Sequence, residues 1–359
     1  MAKKPTLGLC MIVKNEEEVI GRCLDSCCDL FDEMIIVDTG SIDKTKEILE
    51  KYPVKVYDFE WIYDFSAARN FSFSKSTCDF IMWLDADDVI YKEDLEKLKE
   101  LKNKLDDNVD IYQMHYSYLQ DENDNTTYLQ DRARIVKNNH KDRWQGMIHE
   151  YIDFEGNVEK TDITIHHKKI EVAEPTRNLD IYRRMKKQGI EFSLRDLYLF
   201  SQELKGNNYN TEALETVDKF FSHKDEYKYN KFYFDDAIMI KHELYERINM
   251  GVEDIKKILL EYLEFAKPTP FVCCKLGEIF NSLECYDTAK YWFLLAIRLG
   301  EDDPQAEVDY NAFLPFFGIA YSFYYLGDKE NAVKYSKKAL KLKPGNKACE
   351  DNLKLYENM

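Results

Sequence analysis

The sequence predicts an α/β domain built on a largely parallel sheet, followed by an all-α domain of helical repeats. Three observations carry that expectation. Short apolar runs alternate with helix-like stretches as far as Leu84. Apolar and polar residues then alternate at a period of two between Asp110 and His167. Beyond Asn178 only helical periodicity remains, and it repeats. The domains are expected at residues 1–170 and 171–359, joined by a charged connector, Glu171 to Asn178, that contains Pro175.

The apolar runs Thr6–Val13, Met34–Val37, Val54–Tyr57 and Phe80–Leu84 read as strands. Between them Glu17–Cys28, Lys44–Lys51 and Phe65–Ser74 read as helices, with Asp43 offering a carboxylate to the orphan N–H groups of the second. A β-α-β-α order predicts parallel strands covered by helices, with ligands bound at their carboxyl ends. Ile111–Tyr118 and Tyr128–Val136 alternate like antiparallel strands, Trp144–Glu150 reads as a loop with a strand beginning at its end, and Ile163–His167 as a last strand. In the helical part, Phe316, Ile319, Ala320, Phe323, Gly327, Ala332, Ala339 and Pro344 fit tetratricopeptide spacing. Leu276, Gly277, Phe280, Ala289, Phe293 and Ala296 repeat it one unit earlier, and Ser201, Leu204, Ala213 and Val217 form a weaker copy. The segment Asn230–Ala266 reads as a degenerate hairpin between them.

Composition narrows the function classes. A chain of 359 residues exceeds one ordinary core, and 45% hydrophobic residues can fill two. A formal charge of -17 repels phosphate backbones and argues against a nucleic-acid partner. An anionic substrate would therefore need a metal ion or a few placed Arg and Lys residues. The nine cysteines show no zinc-site spacing and read as reduced thiols. The run Leu7–Val13 is too short for a secretory signal, and no segment is long enough to span a membrane. The expected location is the cytoplasm.

Three motifs carry chemistry. Phe80–Leu84 delivers Asp85-Ala86-Asp87-Asp88 to the carboxyl edge of the sheet. Asp85 and Asp87, two apart, can address one ion and its ligand together, and hard oxygen donors suit Mg²⁺ or Mn²⁺. Asp88 is placed to cap the helix beginning near Lys92. Val37-Asp38-Thr39-Gly40-Ser41 also ends a strand and opens a helix, so Asp38 can accept from a base or ribose, or simply cap the turn. In Asp64-Phe65-Ser66-Ala67-Ala68-Arg69-Asn70 the small residues let a flat group lie close, and Arg69 offers a forked donor for phosphate.

The order Ile12-Val13-Lys14-Asn15-Glu16, Val37-Asp38-Thr39-Gly40-Ser41, Phe65-Ser66-Ala67-Ala68-Arg69-Asn70 and Leu84-Asp85-Ala86-Asp87 resembles glycosyltransferase family 2, which has the GT-A fold. With Gln145-Gly146-Met147-Ile148-His149-Glu150 and the trailing repeats, the chain is similar to the repeat-bearing branch of that family. That branch holds envelope-sugar transferases and the sublancin-type peptide S-glycosyltransferases that modify glycocin bacteriocins.

The resemblance implies an inverting transfer of a hexose from a UDP-sugar, with Mg²⁺ or Mn²⁺ on the diphosphate. Val13, Asn15, Glu16, Asp38 and Gly40 would hold base and ribose. Ala67, Arg69 and Asn70 would border base and diphosphate, and Asp85 and Ala86 would meet the donor. Asp85, Asp87 and His167 would bind the metal. Glu150, or His149, would take the acceptor proton. Arg132 and Arg134, on one strand face, would neutralise the departing diphosphate or stand in solvent, and Trp144 would stack on a sugar or be buried. The loops Asp121–Thr127 and Lys137–Arg143 would close over the donor. The acceptor would be a Cys or Ser of a ribosomal peptide, or a saccharide of the cell envelope. The repeats would bind the peptide or a second copy of the chain. A repeat scaffold with an inactive transferase domain is the non-enzymatic alternative. A nucleotidyltransferase is the enzymatic one, disfavoured because Lys14-Asn15-Glu16-Glu17-Glu18 is acidic and lacks glycine.

Overall fold

The computed structural model describes residues 4–120, 126–139, 143–152, 156–170, 176–301 and 309–358. The tips of the two expected closing loops and most of the connector around Pro175 lie outside the described residues. The chain divides into two compact units, Met1–Gln188 and Gly189–Met359.

In the first unit, β1 (Leu7–Val13), β2 (Glu33–Asp38), β3 (Lys55–Asp58) and β4 (Phe80–Trp83) are parallel neighbours in the order β3-β2-β1-β4. The sheet continues through β5 (Asp88–Val89), β6 (Ile111–Gln120), β7 (Thr126–Lys137) and β10 (Val158–His167), giving eight strands in the order β3-β2-β1-β4-β7-β6-β10-β5. A separate ribbon pairs β8 (Trp144–Gln145) with β9 (Tyr151–Ile152). The expected antiparallel character holds for β7 against both β4 and β6, whereas β10 runs parallel to β6.

Period-two alternation sorts these strands onto two faces. Leu7, Leu9, Met11, Ile36, Phe80 and Met82 pack on one face with α1 (Ile20–Asp25), α2 (Thr45–Leu49) and α4 (Lys92–Lys102). Cys10, Ile35, Val37, Ile81 and Trp83 pack on the other with α3 (Phe65–Lys75) and Trp144. Asp64 caps α3, its carboxylate accepting the Ala67 N–H at 2.9 Å. The last helix of the unit, α5 (Arg177–Lys187), lays the Arg184 guanidinium 3.5 Å from the Tyr63 ring centroid.

The second unit is all helical among its described residues. Its helices are α6 (Leu194–Gly206), α7 (Asn210–Phe221), α8 (Tyr227–Arg247), α9 (Val252–Leu263), α10 (Pro270–Ser282), α11 (Tyr286–Glu301), α12 (Leu314–Tyr325), α13 (Lys329–Leu342) and α14 (Lys347–Glu357). The expected small residues Ala213, Ala289, Ala296, Ala320, Ala332 and Ala339 are all buried, which lets helix axes approach closely. Phe293 fills the space beside two glycines, Gly277 and Gly318. The degenerate hairpin becomes α8 and α9, and α8 carries a non-helical residue at Asn230. The nine cysteines are all free thiols.

Candidate active site

The carboxyl ends of β1, β2 and β4 present the candidate residues along one edge of the sheet. At β2, Asp38 is buried and accepts the Gly40 N–H at 3.1 Å and the Ser41 N–H at 3.1 Å. Gly40 has φ 103, a conformation glycine adopts without strain. At β1, Asn15 has φ 57, and its side-chain oxygen accepts the Ile42 N–H at 2.9 Å. The Glu16 N–H donates to the Thr45 hydroxyl at 2.7 Å. The Val13 carbonyl accepts from Thr39. These residues therefore form one interlocked loop pair in which Asp38 serves as a turn cap.

At β4 the acidic segment forms a closed turn. The Asp88 N–H donates to the Asp85 carbonyl at 3.0 Å, and the Asp85 N–H donates to Asp88 Oδ2 at 2.9 Å. Asp88 caps no helix: Tyr91 is the N-cap of α4, with no side-chain cap. Asp88 is instead wholly buried against Arg134, whose guanidinium donates to Oδ2 at 2.9 Å. Two-residue β5 pairs Asp88 and Val89 with His167 and His166. This pairing brings Asp87 and His167 together, with His167 Nδ1 3.2 Å from Asp87 Oδ1. Tyr116 hydroxyl lies 2.8 Å from the same nitrogen, and Tyr118 stacks on the imidazole at 5.2 Å. Burial alone would lower the His167 pKa, but the carboxylates of Asp87 and Asp88 outweigh it and raise the pKa to about 9.

Asp87, Asp88 and His167 each offer a ligand atom within 4.8 Å of one another. Asp88 Oδ1 is buried with no hydrogen-bond partner among the described residues. Carboxylate and imidazole donors fit a divalent cation. Asp85 stands outside that group, because its Oδ1 accepts from Arg69 at 2.8 Å.

Arg69, on α3, is buried between the rings of Trp83 and Trp144, with its guanidinium carbon 4.8 and 4.7 Å from their centroids. Its Nε donates to Glu150 Oε1 at 2.7 Å. Burial opposes the charge on Arg69, but Asp85 and Glu150 overcome it and hold its pKa above the ordinary value. Burial likewise pushes Asp85 upward, and Arg69 and Arg134 reverse that, leaving it below the usual carboxylate range. Glu150 follows His149, which has φ 51 and a ring 6.2 Å from Tyr182 of α5. Asn70, expected near the base and diphosphate, holds the neighbouring loop: its amide oxygen accepts the Arg143 and Trp144 N–H groups at 3.1 and 2.9 Å.

The structure thus brings together Arg69, Asp85, Asp87, Glu150 and His167, and groups Val13, Asn15, Glu16, Asp38 and Gly40 separately at the adjoining loops. Ala86 is buried inside the acidic turn, and Ala67 lies on the first turn of α3. Arg134, expected to face a diphosphate or solvent, is fully buried under the acidic turn instead. Trp144 is buried, the second of its two expected placements. Sequence reasoning missed Tyr116 and Tyr118, although their period-two spacing with His115 and Ser117 on the opposite face could have revealed them.

Residues 9–167 match the model of glycosyl transferase family 2. A TPR repeat-containing protein of Synechococcus elongatus is 36% identical over 41% of this chain and 35% of its own length. The SPbeta prophage-derived glycosyltransferase SunS of Bacillus subtilis is 25% identical over 68% of this chain and 60% of its own. The chain thus spans about a third to three fifths of these relatives. Among solved structures, glucosyl-3-phosphoglycerate synthase from Mycobacterium tuberculosis is 19% identical over 31% of this chain and 44% of its own, with a TM-score of 0.28, too loose a likeness to bear on this chain. No described helix is long and apolar enough to cross a membrane. The first unit, with its sheet and acidic turn, contains the residues 9–167 that match the glycosyl transferase family 2 model, and a helical unit follows it.

Proposed function

We infer that the chain is an inverting glycosyltransferase that moves a hexose from a UDP-sugar to a nucleophilic acceptor. The observation that carries this reading is the meeting of Asp87 and His167, 3.2 Å apart, at the carboxyl edge of a family 2 sheet. Asp87 and His167 would hold Mg²⁺ or Mn²⁺, with Asp88 behind them. The ion, when bound, neutralises the diphosphate leaving group. The loops carrying Asn15, Glu16, Asp38 and Gly40 border the base and ribose.

In the transfer, the acceptor oxygen or sulfur bonds to the anomeric carbon as the bond to the diphosphate oxygen breaks. UDP departs, the configuration inverts, and the acceptor proton passes to a base. Glu150 is that base in this reading, and it must first exchange its bond to Arg69 for one to the acceptor. His149, held in a left-handed conformation beside Glu150, borders the acceptor. The resemblance to peptide S-glycosyltransferases favours a Cys or Ser side chain as acceptor. A thiol needs less help from the base than a hydroxyl does.

Calorimetric titration of UDP-glucose and UDP-N-acetylglucosamine, with and without Mn²⁺, tests the donor. Binding that needs Mn²⁺ and disappears in Asp87→Ala is expected. No binding of either donor with metal present sinks the reading. Mass spectrometry of a cysteine-containing and a serine-containing peptide incubated with the bound donor then separates a peptide acceptor from a saccharide one.

A further inference from the structure

We propose that Arg134 and Asp88 form a positioning pair that holds the two halves of the cation site in register, an inference that rests on the donor reading above. Arg134 reaches both halves. Through Asp88 it touches the acidic turn, because Asp88 Oδ2 accepts the Arg134 guanidinium at 2.9 Å and the Asp85 N–H at 2.9 Å. Through Tyr116 it touches the histidine, because the guanidinium carbon lies 4.4 Å from the Tyr116 ring centroid, and the Tyr116 hydroxyl is 2.8 Å from His167 Nδ1. The same guanidinium carbon lies 4.0 Å from the Trp83 ring centroid, and a further bond reaches the Trp83 carbonyl at 3.3 Å. Trp83 also flanks Arg69, so the last residue of β4 is clasped between the cations that hold Asp88 and Asp85.

Burial separates this pair from the groups that face a ligand. Side-chain exposure is 0% for both Arg134 and Asp88, against 18% for Asp87 and 17% for His167. A fully buried ion pair gives little net stability, because desolvating two charges cancels most of their attraction. Among the described residues, Nε and one terminal nitrogen of Arg134 also lack hydrogen-bond partners, which adds to the cost. An apolar pair would fill the same space more cheaply, yet it could not fix the Asp85 N–H or orient Tyr116. The Asp88 Oδ1 lies 3.9 Å from His167 Nδ1, beyond hydrogen-bond reach, so the side-chain link from Asp88 to the histidine runs through Arg134 and Tyr116.

The test is a double-mutant cycle read by calorimetric titration of Mn²⁺ alone into the full chain. The variants are Asp88→Asn, Arg134→Met and the two combined, each first shown to unfold cooperatively. Each single change is expected to weaken Mn²⁺ binding roughly tenfold or more, the range for residues that orient metal ligands. The double variant is expected to be no weaker than the weaker single, because both changes remove one brace. Native Mn²⁺ affinity in folded Arg134→Met overturns the proposal, and so do losses that simply add, which would make Asp88 an independent ligand. If Arg134→Met does not fold, Arg134→Lys replaces it. Lysine keeps the charge but cannot lie flat between two rings, so the same tenfold loss is expected and native affinity again refutes the pair. A native chain that takes up no Mn²⁺ defeats the donor reading itself, and with it any role for the brace.

Discussion

Gly318→Ala is expected to destabilise the helical unit, although alanine is the better helix former. Gly318 lies within α12, and a Cβ built there would sit 2.2 Å from Cζ of Phe293. At Gly277 on α10 the corresponding approach is 2.7 Å, to Cε1 of the same ring. Phe293 is fully buried among Cys273, Cys274, Ala289, Ala296 and Ile319, so its ring has no open space to move into. Helix propensity favours alanine by ~1 kcal/mol. Forcing a methyl group into a packed core costs about 1–3 kcal/mol or more. With an approach this short the clash wins, for a net loss of ~1–2 kcal/mol at Gly318 and less at Gly277. Urea unfolding followed by far-UV circular dichroism measures the change. Phe293→Leu, which removes the ring, should recover at least half of the loss in the Gly318→Ala background. A Gly318→Ala chain as stable as the native one, or a loss unchanged by Phe293→Leu, would refute the packing argument.

Two further outcomes follow from charges in the two units. Arg69→Met leaves the Asp85 and Glu150 carboxylates without their shared cation, so a loss of about 3 kcal/mol is expected, the low end for a buried pair because the Asp85 side chain is 35% exposed. Neutralising both acids in the same background, with Asp85→Asn and Glu150→Gln, should restore most of the thermal midpoint, and a triple variant no more stable than the single one contradicts the ion-balance account. In the helical unit, burial and then Lys275 lower the His242 pKa from 6.5 to about 4. The folded state thus favours neutral imidazole, and its stability is complete above pH 6.5 and falls as pH drops through that value toward 4. The fall amounts to ~3 kcal/mol. His242→Asn should flatten the stability curve between those pH values, and an unchanged slope in that variant would rule out His242 as its source.

The parallel half of the sheet was legible because β1, β2 and β4 are apolar runs, although β3, Lys55–Asp58, is largely exposed. The residue just past or at the end of each run falls at the carboxyl edge of the sheet, which is why the positions of Asp38 and Asp85 could be read from sequence alone. The order β7-β6-β10-β5 was not legible. It depends on pairings between distant segments, and alternation reveals faces but not neighbours. The same limit hid the fate of the arginines. Arg132 and Arg134 share a strand face, and only the pairing of β7 beside β4 decides that Arg134 lies beneath Asp88. Arg69 and Asn70 sit where expected along α3, but their partners, Glu150 and the backbone at Trp144, belong to a loop whose path no periodicity encodes.

The two-residue β5 also sets when the site can come into being. Asp88 and Val89 pair with His167 and His166, and the Lys168 N–H donates to the Asp87 carbonyl at 2.9 Å. The acidic turn is therefore fastened by a segment made almost eighty residues later on the ribosome, an interval read directly from the pairing of Asp88 with His167. A growing chain that has just released Asp85-Ala86-Asp87 carries the carboxylates without their histidine. It gains the Asp87–His167 meeting, which the proposed function reads as a cation site, only when the end of β10 emerges and docks at the sheet edge. On the donor reading, ligand capture is thereby tied to completion of the fold, and an unfinished chain would be slow to sequester metal or nucleotide during synthesis.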